Sequence, residues 1–232
     1  MSQEPLKYVV ITGTTHGLGK YCAETLLAKG YHVTMGFFKL RSLFILSCFY
    51  IACRNIQLEN KLAKQFSENT GNPNYDVLPL ELSSFESIRE FVRLWKEKNR
   101  PIHILINNAG TLDFTGRKTF TPEGYETHFG VNYLGHFLLT QLLLDDLLKN
   151  KPALVINLAS IGHYMPVRLD DYNNEGYYMS LKAYGRSKLA MLMFTDELQR
   201  RYGNKGITAV ASHPGGAHTN IYNTFAPLPT HI

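Results

Sequence analysis

The chain has 232 residues, with 24 Lys+Arg against 19 Asp+Glu and a formal charge of +5 with histidines neutral. At roughly 150 residues per domain this length suits one α/β domain, and 44% hydrophobic with 19% charged residues excludes disordered and fibrous chains. The excess positive charge is scattered along the sequence, which argues against a nucleic-acid partner or a polybasic membrane surface.

Cys22, Cys48 and Cys53 make a poor disulfide framework and contain no C-x-x-C pair. Reduced thiols, an intracellular location and no metal site are therefore expected. The polar start Met1–Lys7 fits no signal peptide. The longest apolar stretch, Ser42–Cys53, falls short of the about twenty residues a membrane span needs. A cytoplasmic chain is expected, with peripheral contact to an internal membrane through Phe37–Ile51 as the alternative.

Apolar runs alternate with helix-length amphipathic segments, the pattern of βαβ units. In chain order the reading is strand Tyr8–Thr12, helix Gly17–Lys29 stopped by Gly30, strand Tyr31–Met35, helix Asn55–Asn69 and strand Tyr75–Leu80. A helix Ser84–Asn99 with a weak Ser84/Ser87 cap follows, then strand Ile102–Asn107. Thr121 is placed to cap a long helix from about Pro122, ahead of strand Ala153–Leu158, helix Ser180–Tyr202 and strand Ile207–Ser212. Right-handed crossovers between such strands give a Rossmann-like, doubly wound parallel sheet flanked by helices, one domain over residues 1–232.

Gly36–Ile51 breaks the pattern, because strand-to-helix connections take about two to six residues. Without it, Met35 would run straight into Ala52-Cys53-Arg54. It reads as a sequence-level insertion, such as an unspliced short intron, ahead of a lipid-touching loop or an extra strand.

Gly13, Gly17 and Gly19 form a G-x-x-x-G-x-G loop between the first strand and helix. Glycine lets a backbone approach a pyrophosphate that the helix N-terminus then holds; the plainer reading is a glycine-rich turn. Tyr184 and Lys188 stand at i and i+4 on one helix face. A phenol with a reference pKa of about 10 is a poor proton shuttle near neutrality, and a neighbouring ammonium draws it down. Tyr178 and Lys182 share the spacing, but Tyr178 follows Glu175-Gly176 near the helix start and lacks the flanking Ser187-Lys188 pair, so Tyr184 is preferred. Ser160 ends a strand where ligands of open α/β sheets bind, although a turn serine is the plainer reading. Asn132 lies inside a helix it forms poorly, either facing solvent or serving a polar role.

These motifs, with Asn107-Asn108-Ala109-Gly110, Pro214-Gly215 and Thr219, resemble the short-chain dehydrogenase/reductase family in order and spacing from Tyr8 to about Thr219. His128–Thr140, Ser187-Lys188-Leu189-Ala190 and the long gap from Ser160 to Tyr184 resemble its retinol-dehydrogenase-like branch. The resemblance implies that Tyr184 exchanges the substrate proton, Lys188 tunes it and binds the nicotinamide ribose, Ser160 polarises the substrate oxygen, and Asn132 anchors a relay water. It assigns Gly13, Thr15, His16, Gly17, Leu18 and Gly19 to the pyrophosphate loop, and Glu81 with Leu82 to the adenine. Asn108, Ala109 and Gly110 fall beside a ribose, and Pro214, Gly215 and Thr219 at the carboxamide end. Arg54 takes the place of an arginine in the NADP-using branch once Gly36–Ile51 is skipped; otherwise it is displaced and NAD stays open.

The resemblance also implies an oxidoreductase moving a hydride between NADP(H) and an apolar alcohol or ketone, retinoid- or steroid-like, in lipid or steroid metabolism. A homodimer or homotetramer is the form expected. Family members continue well past the threonine matching Thr219, so a truncated C-terminal part is expected. The rival reading is an inactive nucleotide-binding member acting as sensor or scaffold.

Overall fold

The computed structural model describes residues 6–37, 56–173 and 175–215. Its centre is one six-stranded parallel sheet in the order β3-β2-β1-β4-β5-β6. The strands are β1 (Tyr8–Thr12), β2 (His32–Phe37), β3 (Tyr75–Pro79), β4 (Ile104–Asn107), β5 (Ala153–Leu158) and β6 (Ile207–Ser212). The order reverses between β1 and β4, and that reversal opens a crevice at the carboxyl ends of the two strands.

Successive strand side chains point to opposite faces, so both faces of this sheet need apolar cover. Val10, Leu105 and Val155 face α3 (Phe85–Glu97), α5 (His136–Lys149) and α6 (Ser180–Tyr202), where Phe91, Leu143 and Met191 are buried against them. Val9, Ile11 and Val33 face the other way, onto Ala23 and Leu27 of α1 (Gly17–Ala28) and Phe66 of α2 (Ile56–Thr70). Ser84 caps α3 by accepting the Ser87 N–H at 3.3 Å, as its spacing suggested.

Three expectations are corrected. β2 runs on through Gly36 and Phe37, pairing Gly36 with Thr12 and Leu78, so the first residues of the supposed insertion belong to the sheet. A Cβ at Gly36 would stand 2.8 Å from Leu80 Cδ2, which is why glycine sits there. β4 begins at Ile104, where ladder pairing with Val9 and Leu154 starts, although Ile102 is buried ahead of it. Thr121 does not cap a helix. Thr121–Gly124 is a turn in which the Gly124 N–H donates to the Thr121 carbonyl and Gly124 takes φ +85°. The helix enters only at α4 (Thr127–Phe129), capped by the Glu126 carboxylate, which accepts from the His128 and Phe129 N–H groups. It then widens to a π-helix over Gly130–Gly135 before α5.

Most of Gly36–Ile51, together with Cys48, Cys53, Arg54 and Thr219, lies outside the described residues. Among the described residues no helix is long and apolar enough to cross a membrane.

Candidate active site

The glycine loop leaves β1 at Gly13, whose φ of +74° places it in the left-handed region. The Gly13 N–H donates to the Gly36 carbonyl at 3.1 Å, tying the loop to the end of β2. Gly19, in the first turn of α1, admits no side chain: a Cβ there would collide with the Gly13 carbonyl oxygen and the Asn108 amide nitrogen. Thr15, His16, Gly17 and Leu18 are half-buried across the mouth of α1, with His16 at its N-cap and no side-chain cap bond. Free backbone N–H groups, closely approachable backbone and the positive end of a helix form the cradle that a dinucleotide phosphate requires.

The turn after β4 clamps onto this loop. Asn108 Nδ2 donates to the carbonyls of Thr12 (2.8 Å) and Gly13 (3.1 Å), and the N–H groups of Asn108 and Ala109 both donate to Thr12 Oγ1. The Asn108 amide nitrogen is therefore engaged in shaping the loop, leaving its oxygen for any ligand. Gly110 follows at the facing wall, where a Cβ would lie 3.4 Å from Asn132 Oδ1 and 3.6 Å from Lys188 Nζ.

Asn132 does not face solvent. It is fully buried in the π-helix, a distortion often found at functional sites. Its Oδ1 accepts the Thr111 N–H at 2.7 Å, and its Nδ2 donates to the Thr111 carbonyl and to Ser187 Oγ, both at 3.0 Å. Ser187 Oγ donates onward to the Tyr184 carbonyl at 2.7 Å.

Ser160 follows β5 and caps a short 3-10 turn, its Oγ accepting the Gly162 N–H at 3.2 Å. Gly162 brings it to Tyr184: a Cβ there would lie 3.1 Å from two ring carbons of Tyr184 and 3.6 Å from Ser160 Oγ. The phenol ring and the serine hydroxyl thus border one methyl-sized volume. One turn along α6, Lys188 is buried with its Nζ 5.7 Å from the centre of the Tyr184 ring, donating to the Leu158 carbonyl at 2.8 Å. Burial pulls the Lys188 ammonium down to about 8.

At the end of β3, Glu81 and Leu82 are buried. Glu81 Oε1 accepts from the Ser83 N–H and hydroxyl, while Oε2 is buried and unpartnered. Burial raises its carboxyl to about 7, with the Ser83 hydrogen bonds acting in the opposite sense. The Leu82 carbonyl packs so close to Gly135 that a Cβ there would collide with it. Pro214 and Gly215 are exposed just beyond β6. Asn132, Ser160, Tyr184, Lys188 and Gly110 thus meet on one side of the crevice, and the glycine loop with Asn108 and Ala109 closes the other.

Sequence reasoning set Tyr178 aside in favour of Tyr184, and the structure gives Tyr178 a different setting. Its hydroxyl donates to Glu126 Oε1 at 3.1 Å, in a cluster with His128 whose Nδ1 lies 2.7 Å from the same oxygen. The Asp113 N–H donates to His128 Nε2, so Nδ1 carries the proton. Burial pushes the Glu126 carboxyl up, but the hydrogen bonds from His128 and Phe129 outweigh it and hold the group below its ordinary value. The His128 ring meets the Tyr184 ring edge-on at 6.4 Å, forming part of its back wall. Sequence reasoning also missed Thr12, Thr111 and His136. Only His136 left a signal, standing four residues after Asn132 as a polar residue ahead of the apolar run Phe137-Leu138-Leu139.

A doubly wound parallel sheet with a glycine cradle at its switch point and a Ser, Tyr and Lys set beside it defines a nucleotide-binding α/β protein of the dehydrogenase type. Comparison with known proteins gives the family. The family model described as short chain dehydrogenase matches residues 47–227. Retinol dehydrogenase 12 of Mus musculus is 43% identical over 214 residues, which are 92% of this chain and 62% of that protein. Polyprenol dehydrogenase of Homo sapiens is 37% identical over 225 residues, 94% of this chain and 63% of that protein. Among solved structures, a short-chain dehydrogenase from Sphingobium yanoikuyae in complex with NADPH shares the fold with a TM-score of 0.73 at 21% identity, covering 94% of this chain and 74% of the other. The chain belongs to the short-chain dehydrogenase family, and it spans less than two thirds of the length of these retinol and polyprenol dehydrogenase relatives.

Proposed function

We propose that the chain carries an NADP(H)-dependent oxidoreductase site that interconverts an apolar alcohol and the matching ketone or aldehyde. The observation that carries the reading is the shared border at Gly162, where the Tyr184 ring and the Ser160 hydroxyl flank one small volume with buried Lys188 beneath the ring. Two relatives whose names specify retinol and polyprenol support an apolar, isoprenoid-like substrate. The preference for NADP rests on the likeness to a structure described with NADPH.

The bound nicotinamide would supply or accept the hydride, and the chain's own residues do the rest. The glycine loop holds the phosphates, with Gly13 and Gly19 keeping side chains out of the way. Glu81 Oε2, buried without a partner, is suited to accept from an adenine amino group. Ser160 Oγ donates to the substrate oxygen and fixes it toward Tyr184, which delivers a proton to that oxygen in reduction and removes it in oxidation. Protonated Lys188 favours the phenolate and leaves two ammonium hydrogens for a ribose beyond the one used on Leu158. Asn132 holds this wall in place through Thr111 and Ser187.

The test is consumption of NADPH, followed at the reduced-nicotinamide absorbance band, with a panel of hydrophobic aldehydes and ketones. Turnover that Tyr184→Phe abolishes and Ser160→Ala reduces by on the order of a hundredfold supports the reading. NADPH binding with no turnover on any of the panel would overturn it.

A further inference from the structure

His136 is fully buried at the start of α5 and joins the two halves of the crevice. Its Nε2 lies 3.0 Å from Thr12 Oγ1 at the end of β1, and its Nδ1 lies 3.1 Å from the backbone carbonyl of Asn132 in the π-helix. The direction of each bond follows from the partners. Thr12 Oγ1 already accepts from the N–H groups of Asn108 and Ala109, which occupies both its lone pairs. Its own hydrogen therefore goes to His136 Nε2, and the imidazole proton sits on Nδ1 and goes to Asn132. A carbonyl accepts but cannot donate, so the chain of bonds runs one way, from the dinucleotide turn through a neutral imidazole to the wall that holds Asn132 and Ser187. Burial and the Lys188 charge both disfavour the imidazolium, consistent with that neutral tautomer.

A helical π-turn leaves its carbonyls short of regular i+4 partners. Here the His136 N–H turns to the Tyr133 carbonyl, and the side chain of the same residue takes the Asn132 carbonyl instead. One residue therefore closes the distortion and ties it to β1. Asn and Gln each reproduce only half of this, because neither can reach both partners at the spacing of the two ring nitrogens.

We propose that His136 is a positioning residue that couples the dinucleotide-binding turn to Asn132, so that the grip on NADP(H) and the set of the catalytic wall depend on one imidazole. The proposal rests on the proposed function for the identity of its cofactor, not for turnover.

The test is a double-mutant cycle of Thr12→Val and His136→Leu, read by NADPH affinity and by amide hydrogen exchange of residues 107–112 and 130–135. His136→Leu should weaken NADPH binding and speed exchange in both segments by about tenfold or more, the effect of broken buried hydrogen bonds. Thr12→Val, which also strips the acceptor from the Asn108 and Ala109 N–H groups, should weaken binding at least as much and act more on 107–112 than on 130–135. The double variant should fall short of the product of the two single effects by about tenfold, the worth of the shared Thr12–His136 bond, since each change also breaks bonds the other leaves intact. His136→Asn, which keeps the donation to Asn132 and loses Thr12, should speed exchange in 107–112 far more than in 130–135, and it serves where the leucine variant does not fold. Independent, additive effects of the two changes, or an effect of His136→Leu confined to 130–135, would overturn the proposal. A wild type that binds NADPH but turns over no carbonyl defeats the proposed function and leaves the cycle to decide this inference. A wild type that binds no NADPH overturns this inference together with the proposed function.

Discussion

The amide of Asn132 donates to the hydroxyl of Ser187 at 3.0 Å, joining the π-helix to α6 across 55 positions of sequence. Ser187 passes the connection to the Tyr184 carbonyl, so the turn of α6 that carries the phenol is braced by the π-helix on the same side of the crevice. Ser187→Ala removes both bonds and leaves a buried amide hydrogen of Asn132 unpaired, at a cost of about 1–3 kcal/mol. The expected outcome is a Tm lowered by several degrees and turnover lowered about tenfold or more. Calorimetry and steady-state kinetics check it, and a fall in Tm with kcat unchanged would assign Ser187 to stability alone.

On the proposed function, Lys188 should set an alkaline limit on activity. Its ammonium is charged below about 8 and neutral above, because burial pulls it down from its ordinary value of 10.5. A reaction that needs this cation beside Tyr184 should lose kcat/KM as pH rises through about 8. The same burial has a sign for stability. Between about 8 and 10.5 the unfolded chain binds more protons than the folded one, so the wild type gains stability as pH rises through that window. Below it the buried charge costs about 3 kcal/mol. Lys188→Met removes that cost and strands the Leu158 carbonyl, worth about 1 kcal/mol. The variant should therefore melt higher than wild type near neutrality, and lose the advantage at strongly alkaline pH, while its turnover is abolished.

Glu81 carries the opposite linkage. Its carboxyl is raised from 4.5 to about 7 by burial, so the protonated form is the stable one in the fold. The stability it contributes is fully present below 4.5 and is lost as pH rises through about 7. Glu81→Gln imitates the protonated form. It should match wild type in acid and exceed it by roughly 2–3 kcal/mol above neutrality, as read by denaturant titration at two pH values. Equal differences at both would show that the fold leaves the Glu81 carboxyl at its ordinary value.

Where side-chain period and local chemistry agree, the sequence specified its elements closely. β5, β6 and α6 have the boundaries their residues suggested, and the Ser84 cap is where its spacing put it. The region from Thr121 to Gly135 was not legible in the same way. Threonine, proline and glutamate at Thr121-Pro122-Glu123 are good helix starters, but Gly124 takes a left-handed conformation, and the buried Glu126 carboxylate caps the helix instead. A π-helix does not repeat every 3.6 residues, so the surroundings of Asn132 could not be read from periodicity. The site shows the same division. Tyr184, Lys188 and Ser160 were visible because their chemistry is local to one helix or one strand end. Thr111 meets Asn132 and Thr12 meets His136 across 21 and 124 positions, which only folding brings together.

Transfer of label from cofactor to product tests the central claim most directly. NADPH deuterated at the transferable nicotinamide position is incubated with the protein and a hydrophobic ketone, and the alcohol is analysed by mass spectrometry. One deuterium on the carbinol carbon, formed by wild type and absent with Tyr184→Phe, is the expected result. Unlabelled alcohol, or labelled alcohol formed equally by the phenylalanine variant, would contradict a site in which Tyr184 delivers the proton beside a bound nicotinamide.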